Sequence, residues 1–526
     1  MADRFDYVVV GAGSAGAVVA ARLTEDPGVR VLLLEAGGED DADEIRIPAA
    51  FSQLFKTRWD WNYSTTEQKQ LDSRRAYWPR MKALGGCSSM NAMIYIRGNA
   101  ADYDEWRDAY GAAGWGYEDV LPYFVRAEGN TRLGHPFHGS DGPVHVEDRR
   151  YTHELTRAWV DAAVASGMKL NDDFNGVTQE GVGNYQVTCK NGLRWSVADA
   201  YLRPAIDRPN LVVRTRARVA GVEFDGSRAV GVRYRHRGEE RTAYADGEVI
   251  LSGGAINSPQ LLMLSGIGPG SHLREHGIDV VADSPGVGQN LHDHPATPLI
   301  WHTKGSSDIA DFAHVGNLIR AKARGDGPLT SNIGEAGAFF RSRPDLDEPD
   351  LQVHMAPTGF YDNGLHEPVS RKVTVASTLV RVESRGTLRL RSANPDWHPA
   401  IDPAYFDDPA DLDAQVSGLQ RLLDIASHAP FVDRLTHPYL PAMRDPSEDD
   451  LRDLVRAKTQ TLYHPVGTCA MGSSDSAVVD PELRVRGVDG LRVVDASVMP
   501  VVTRGNTNAP TIMIAERAAD LLKERT

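Results

Sequence analysis

A glycine turn and an acid are the first residues of this chain whose types and spacing can do chemistry. Gly11-Ala12-Gly13-Ser14-Ala15-Gly16 reads GxGxxG, and Glu35 stands 19 residues after Gly16. In such a turn Gly11 permits a tight bend and Gly13 lets backbone approach a pyrophosphate, while Gly16 lets a helix pack closely on a strand. The helix start at Ser14 and Ala15 offers N–H groups and a positive dipole end to phosphates. Glu35, followed by Ala36, can accept hydrogen bonds from free ribose hydroxyls and would repel a 2′-phosphate. A bound dinucleotide implies redox chemistry, but the turn leaves NAD and FAD both open. The frame that must hold these residues is present in order. Phe5 to Val10 is an apolar run suited to a buried parallel strand, an alanine-rich helical stretch runs to Leu23, and Val29 to Leu34 is a second strand ending in the acid.

A second stretch, Arg80 to Asn91, contains Leu84-Gly85-Gly86-Cys87-Ser88-Ser89-Met90. Adjacent glycines followed by small hydroxyl residues let backbone lie flat against a ligand, with N–H and hydroxyl groups serving phosphates or a ring edge. His292 and His294 have HxH spacing, yet no carboxylate or thiol cluster nearby completes a site, so no metal is expected.

Bulk properties narrow the field. A chain of 526 residues is too long for one simple core and predicts two domains. Hydrophobic content of 41% and charged content of 25% are those of a soluble globular enzyme. A formal net charge of −15 disfavours a nucleic-acid partner or an anionic membrane surface. The three cysteines, Cys87, Cys189 and Cys469, are too few and scattered for a disulfide framework. With a first strand starting at residue 5 and no apolar run of about 18 residues, neither a leader nor a membrane span is expected, and the cytoplasm is the expected compartment.

Strand-and-glycine signals recur in three blocks. The second block carries Leu211-Val212-Val213 and the strand Glu248 to Leu251. A turn at Ser252-Gly253-Gly254 follows, with a predicted helix start at Asn257-Ser258-Pro259. The third block carries a strand at Leu491 to Val494 and a helix from Pro510 to Leu522. Between them, Lys372 to Val380 and Gly386 to Leu390 alternate like strands of a half-buried antiparallel sheet, and Asp411 to Ala426 reads as an amphipathic helix. The predicted class is α/β, α+β overall. A Rossmann-like cofactor domain (1–150, 210–295 and 462–526) carries an inserted domain of antiparallel sheet and helices for substrate (151–209 and 296–461).

The stretch at Arg80 to Asn91 resembles the first signature of the glucose–methanol–choline family of flavin oxidoreductases. The segment Gly254 to Gly268 is similar to the second signature. Pro285 to Leu291 with His294-Pro295, Tyr463-His464-Pro465-Val466-Gly467-Thr468 and Asn506-Thr507-Asn508-Ala509-Pro510-Thr511 also resemble family segments. Trp59-Asp60-Trp61-Asn62-Tyr63 points to the choline oxidase, choline dehydrogenase and aliphatic alcohol dehydrogenase branch. The resemblance implies FAD, which agrees with a single GxGxxG unit. By resemblance, cofactor contacts extend to Ala36, Trp61, Leu84, Gly85, Gly86 and Ser88. They extend further to Asn91, Ala92, Met93, Ile94 and Val219, and to Asp495, Ala496, Asn508 and Pro510.

It also implies that His464 takes the hydroxyl proton of an alcohol while hydride leaves the same carbon for the flavin. Histidine suits that role because its pKa lies near neutrality. Asn508, 44 residues on, would hydrogen-bond the developing alkoxide. The helix after Asn508 would turn its positive end towards the flavin. Trp61, Leu462 and Tyr463 are the candidate substrate-wall residues.

Two departures from choline oxidases matter. Met90 stands where their flavin-linking histidine stands, so non-covalent FAD is expected. Ala296 follows Asp293-His294-Pro295 where they carry a glutamate for the trimethylammonium head, so a neutral alcohol replaces choline. The expectation is an FAD-dependent alcohol oxidase that passes electrons from a primary alcohol to O2, forming H2O2. Leu462 favours the oxidase, whereas Asn91 to Gly98 looks more like dehydrogenase relatives using a quinone or other acceptor. An FAD-containing hydroxynitrile lyase is the further alternative. Oligomeric state is left open, and a homodimer is compatible with it.

Overall fold

The computed structural model describes residues 3–305, 312, 314–365 and 371–524. Its first sheet begins with the expected crossover. The strand Asp3–Val10 pairs in parallel with Val31–Leu34 on one side and Glu239–Leu251 on the other. Leu211–Arg214 extends the sheet beyond Val31–Leu34, and Leu491–Val493 pairs in parallel with the end of Glu239–Leu251. Val8, Val9, Leu32 and Leu33 are fully buried, as strands covered on both faces require. The long strand Glu239–Leu251 also carries the antiparallel pair Arg228–His236 and Ala217–Asp225.

The turn after the first strand is crowded enough to need its glycines. A Cβ at Gly16 would lie 1.9 Å from the Gly11 carbonyl oxygen. The helix Gly16–Leu23 can therefore sit against the strand only with glycine at its first position.

The second sheet is antiparallel. Its strands run in the order Leu435–Leu440, Pro295–Thr303, Lys372–Leu379, Leu351–Ala356, Ala336–Phe340 and Gly181–Asn184. Gln460–Thr461 pairs with the start of Pro295–Thr303, so the chain leaves this sheet one residue before Leu462. The amphipathic stretch forms the helix Pro409–Ala426, capped by the Asp408 carboxylate on the Ala410 N–H.

One predicted boundary is corrected. The second block's helix is Gly254–Leu264, so Pro259 lies inside it rather than at its start. A proline there leaves the Ala255 carbonyl without its helical donor. The Thr468 hydroxyl takes that place at 2.7 Å. The helix is thereby tied to the Tyr463–Thr468 segment, which explains why the proline is tolerated.

Candidate active site

One cavity runs from the glycine turn to His464, between the two sheets. At its first end lie Gly11, Gly13, Ser14, Ala15, Glu35 and Ala36. Burial raises the Glu35 pKa, and N–H groups of Gly37 (2.7 Å) and Ala12 (2.9 Å) oppose that shift by holding its two oxygens. The Gly86 backbone crosses directly over Gly13, where a Cβ on Gly86 would lie 2.6 Å from the Gly13 Cα. The helix Asn508–Lys523 begins at the same place. The Ser14 hydroxyl donates to Asn508 Oδ1 at 2.7 Å, which joins two helix N-termini. Two converging N-termini, side-chain-free backbone and an inward acid form a cradle that fits FAD: the termini for its diphosphate and Glu35 for a ribose.

Asp495 and Ala496 line the cavity beside the Ser252–Gly254 turn. Burial raises the Asp495 pKa, but its oxygens accept from the Ser258 hydroxyl (2.6 Å) and the Ser497 N–H (2.8 Å). Asn91, Ala92, Met93, Ile94 and Val219 are also wall residues, as is Met90.

Gly16, Leu84, Gly85, Ser88 and Pro510 stand behind the cavity lining rather than in it. Gly85 turns the chain at φ +83° behind the wall, and the Ser88 hydroxyl folds inward onto the Gly85 carbonyl at 2.6 Å. Trp61 lines the cavity. Its ring stacks on Tyr63 (5.9 Å, 9°), with the Lys82 ammonium 4.6 Å and the Arg218 guanidinium 5.3 Å from its centre. Lys82 borders the Glu35 turn, because a Cβ on Gly37 would strike its carbonyl at 1.9 Å.

At the other end His464 is reached through a strained loop. Tyr463 holds φ +70°, a conformation that costs a non-glycine residue about 1 kcal/mol or more. Buried Asp293 over-determines that loop. It accepts from the His464 N–H at 2.7 Å, the Thr461 hydroxyl at 2.5 Å and the Tyr405 hydroxyl. Arg80 donates to the Tyr463 carbonyl at 2.5 Å.

The partner of His464 differs from the predicted one. Asn506 Nδ2 faces His464 Nε2 at 3.4 Å, and its Oδ1 accepts from Gln352 at 3.1 Å. Asn508 also lines the cavity, but it is the first residue of the helix and its Oδ1 accepts from the Ser14 hydroxyl. The motif has two asparagines two residues apart, and the one lying before the helix start projects into the chamber.

The HxH histidines part company. His292 binds the Asn290 carbonyl and the Val502 N–H with its two nitrogens. His294 Nδ1 meets His464 Nδ1 at 3.0 Å. A third histidine, His354, also lines the cavity; its Nε2 has no partner. Burial drives all three chamber histidines towards neutrality. It takes His294 down to about 3 and His354 to about 4. Burial takes His464 well below the usual range, and neighbouring His294, His354 and Arg80 add to that.

Rings close the chamber. Phe51 packs on Phe55 (6.0 Å) and Phe360 (6.1 Å), and Phe55 packs on Tyr463 (5.8 Å). Leu462, Ala296, Ile333 and Ala356 fill the remaining wall. Sequence reasoning missed Asn506 although it stands in the motif with Asn508, and it missed His354 and the phenylalanines, which come from segments with no local signature.

The profile of the GMC oxidoreductase family matches residues 5–296 with its N-terminal part and 382–515 with its C-terminal part. The chain is 48% identical to an uncharacterized GMC-type oxidoreductase of Mycobacterium tuberculosis, over 99% of this chain and 100% of that one. It is 42% identical to an alcohol dehydrogenase [acceptor] of Pseudomonas putida, over 98% and 95%. A structure of Aspergillus oryzae formate oxidase, studied for FAD modification, superposes with a TM-score of 0.93 at 29% identity, covering 99% of this chain and 98% of that one.

Proposed function

This chain belongs to the GMC oxidoreductase family, and from that premise we propose that it oxidises a neutral primary alcohol to the aldehyde at His464 and Asn506. FAD, when bound, supplies the hydride acceptor. The observation that carries the reading is the facing pair itself. Asn506 Nδ2 is a donor and His464 Nε2 stands 3.4 Å from it, so a substrate hydroxyl placed between them accepts from one and donates to the other.

The hydrogen bonds support a tautomer suited to a base. Opposite a donor, Nε2 of His464 is the unprotonated nitrogen, and its proton sits on Nδ1. His294 Nδ1, 3.0 Å away, then accepts that proton. His464 thus presents a lone pair to the hydroxyl, and His294 holds the ring after the proton has moved. Asn506 steadies the oxygen as negative charge grows on it, and Gln352 fixes the amide's orientation.

The chamber favours an uncharged substrate. Its walls are aromatic and aliphatic, and Ala296 supplies no anion for a quaternary ammonium. O2 is the proposed electron acceptor. A second reading, an acceptor-dependent dehydrogenase, is favoured by the name of the Pseudomonas putida relative. Mixing the yellow protein anaerobically with a panel of primary alcohols and choline tests both. Bleaching by neutral alcohols with prompt recovery in air supports the oxidase. Bleaching that persists until a quinone is added supports the dehydrogenase. Faster bleaching by choline than by any neutral alcohol overturns the substrate reading.

A further inference from the structure

Arg194 is a buried charge without a counter-ion. It ends a short hairpin, Cys189–Lys190 paired with Leu193–Arg194, and is only 3% exposed. Nε donates to the Ile45 carbonyl at 2.7 Å, and Nη1 donates to the Ser88 carbonyl at 3.0 Å and to Asn91 Oδ1 at 2.8 Å. Nη2 is buried with no partner. Arg97 and Arg492, buried as deeply, each sit on a carboxylate, Glu128 and Glu248. Among the described residues no carboxylate pairs with Arg194. The nearby Asp199 is occupied by Arg203 and Ser196. Burial draws the Arg194 pKa down to about 10, which leaves it charged at neutral pH.

Its three acceptors define its place. Ile45 packs with Phe51 in the chamber wall, while Ser88 and Asn91 belong to the loop whose other face, at Cys87, Met90 and Asn91, lines the cavity. The guanidinium bolts that loop to the wall from behind. A buried unpaired charge is costly, and in a low-dielectric interior its field favours negative charge placed nearby. A flavin ring becomes electron-rich on taking a hydride, and this loop lines the cavity from Gly86, which crosses over Gly13, to Met90, which packs in the cluster that holds Tyr463 beside His464.

We propose that Arg194 is a positioning residue that fixes the 85–91 loop and whose unneutralised charge stabilises the negative form of the FAD ring. The inference rests on FAD occupying the cavity. Sulfite is a direct probe, because it adds to a flavin ring to give an anionic adduct that bleaches the yellow colour. In the holoenzyme, Arg194→Gln and Arg194→Met should bind sulfite about tenfold more weakly than the parent. Arg194→Lys, which keeps the charge but loses the fork of hydrogen bonds, should stay within about threefold of the parent. A melting curve and the flavin-to-protein ratio of each variant report the bolt separately, and both should fall in all three.

Sulfite affinity unchanged in a yellow Gln or Met variant would overturn the electrostatic role. So would a Lys variant that loses affinity tenfold, and this arm decides the matter if the neutral variants do not fold. A parent protein that purifies and reconstitutes without FAD would instead overturn the reading of the cavity.

Discussion

Around Glu35 and Asp495 the cavity wall carries carboxylates held by N–H groups and hydroxyls, whereas around His464 it carries aromatic rings and neutral histidines. The first end is made of backbone: crossing glycines and two helix starts, with little that a side-chain change could alter. The second end is made of side chains drawn from distant segments, and some of their polar atoms are unspent. His354 Nε2 and the Tyr463 hydroxyl have no partner. A backbone-built end binds one constant ligand, and an end built from side chains can be retuned to different alcohols without disturbing the fold. Ala296 and Met90 both lie on the chamber side of the wall.

The largest effect should come from the chamber. His464→Ala should slow flavin reduction by alcohol about 10³-fold while the protein stays yellow. Reduction within tenfold of the parent would move the base elsewhere. The two asparagines then sharpen the comparison, because two residues separate one end's chemistry from the other's. Asn506→Ala should slow reduction about 10²-fold with FAD retained. Asn508→Ala loses the bond to Ser14 and should weaken FAD binding by up to about tenfold, with little change in the reduction rate of the loaded enzyme. Rapid-mixing rates set beside FAD dissociation constants read both, and the reverse pattern would return Asn508 to the alcohol.

The same contrast explains what the sequence discloses. The cofactor end is legible because its parts are contiguous: strand, glycine turn, helix, strand and Glu35 all fall between residues 5 and 35 and obey local rules of sterics and dipoles. The antiparallel strand at Lys372–Leu379 and the helix Pro409–Ala426 are legible from periodicity. The start of Gly254–Leu264 was not, because Pro259 is tolerated through a hydroxyl 213 residues away from the Ala255 carbonyl that it satisfies. The choice between Asn506 and Asn508 was not legible either. Both lie in one motif, and only the start of the helix decides which side chain is spent on Ser14.

The smallest expected effect is the one pH has on the chamber chemistry. His464 is faced by His294, His354 and Arg80, all of which oppose its protonation, and by Asp293, whose carboxylate accepts from the His464 backbone N–H rather than from its ring. A base held well below its usual pKa stays unprotonated through neutrality, so the flavin reduction rate at saturating alcohol should be flat from about pH 6 to 8. Stability should not be flat. In the unfolded chain each of these histidines titrates near 6.5, whereas in the fold all three stay neutral, so below that pH the unfolded state binds more protons. Folding then loses at most about 1.4 kcal/mol per pH unit for each histidine, and the loss stops for each at its folded pKa. Buried Glu35, Asp293 and Asp495 have raised pKa values and act with the opposite sign, but only as pH falls towards the carboxylate range. The melting temperature should therefore fall as pH drops from 6.5 towards 5, while the reduction rate of the enzyme still folded holds constant. A reduction rate that falls tenfold per unit below pH 6.5 in protein whose melting temperature is unchanged would mean that the chamber is wet and His464 titrates normally.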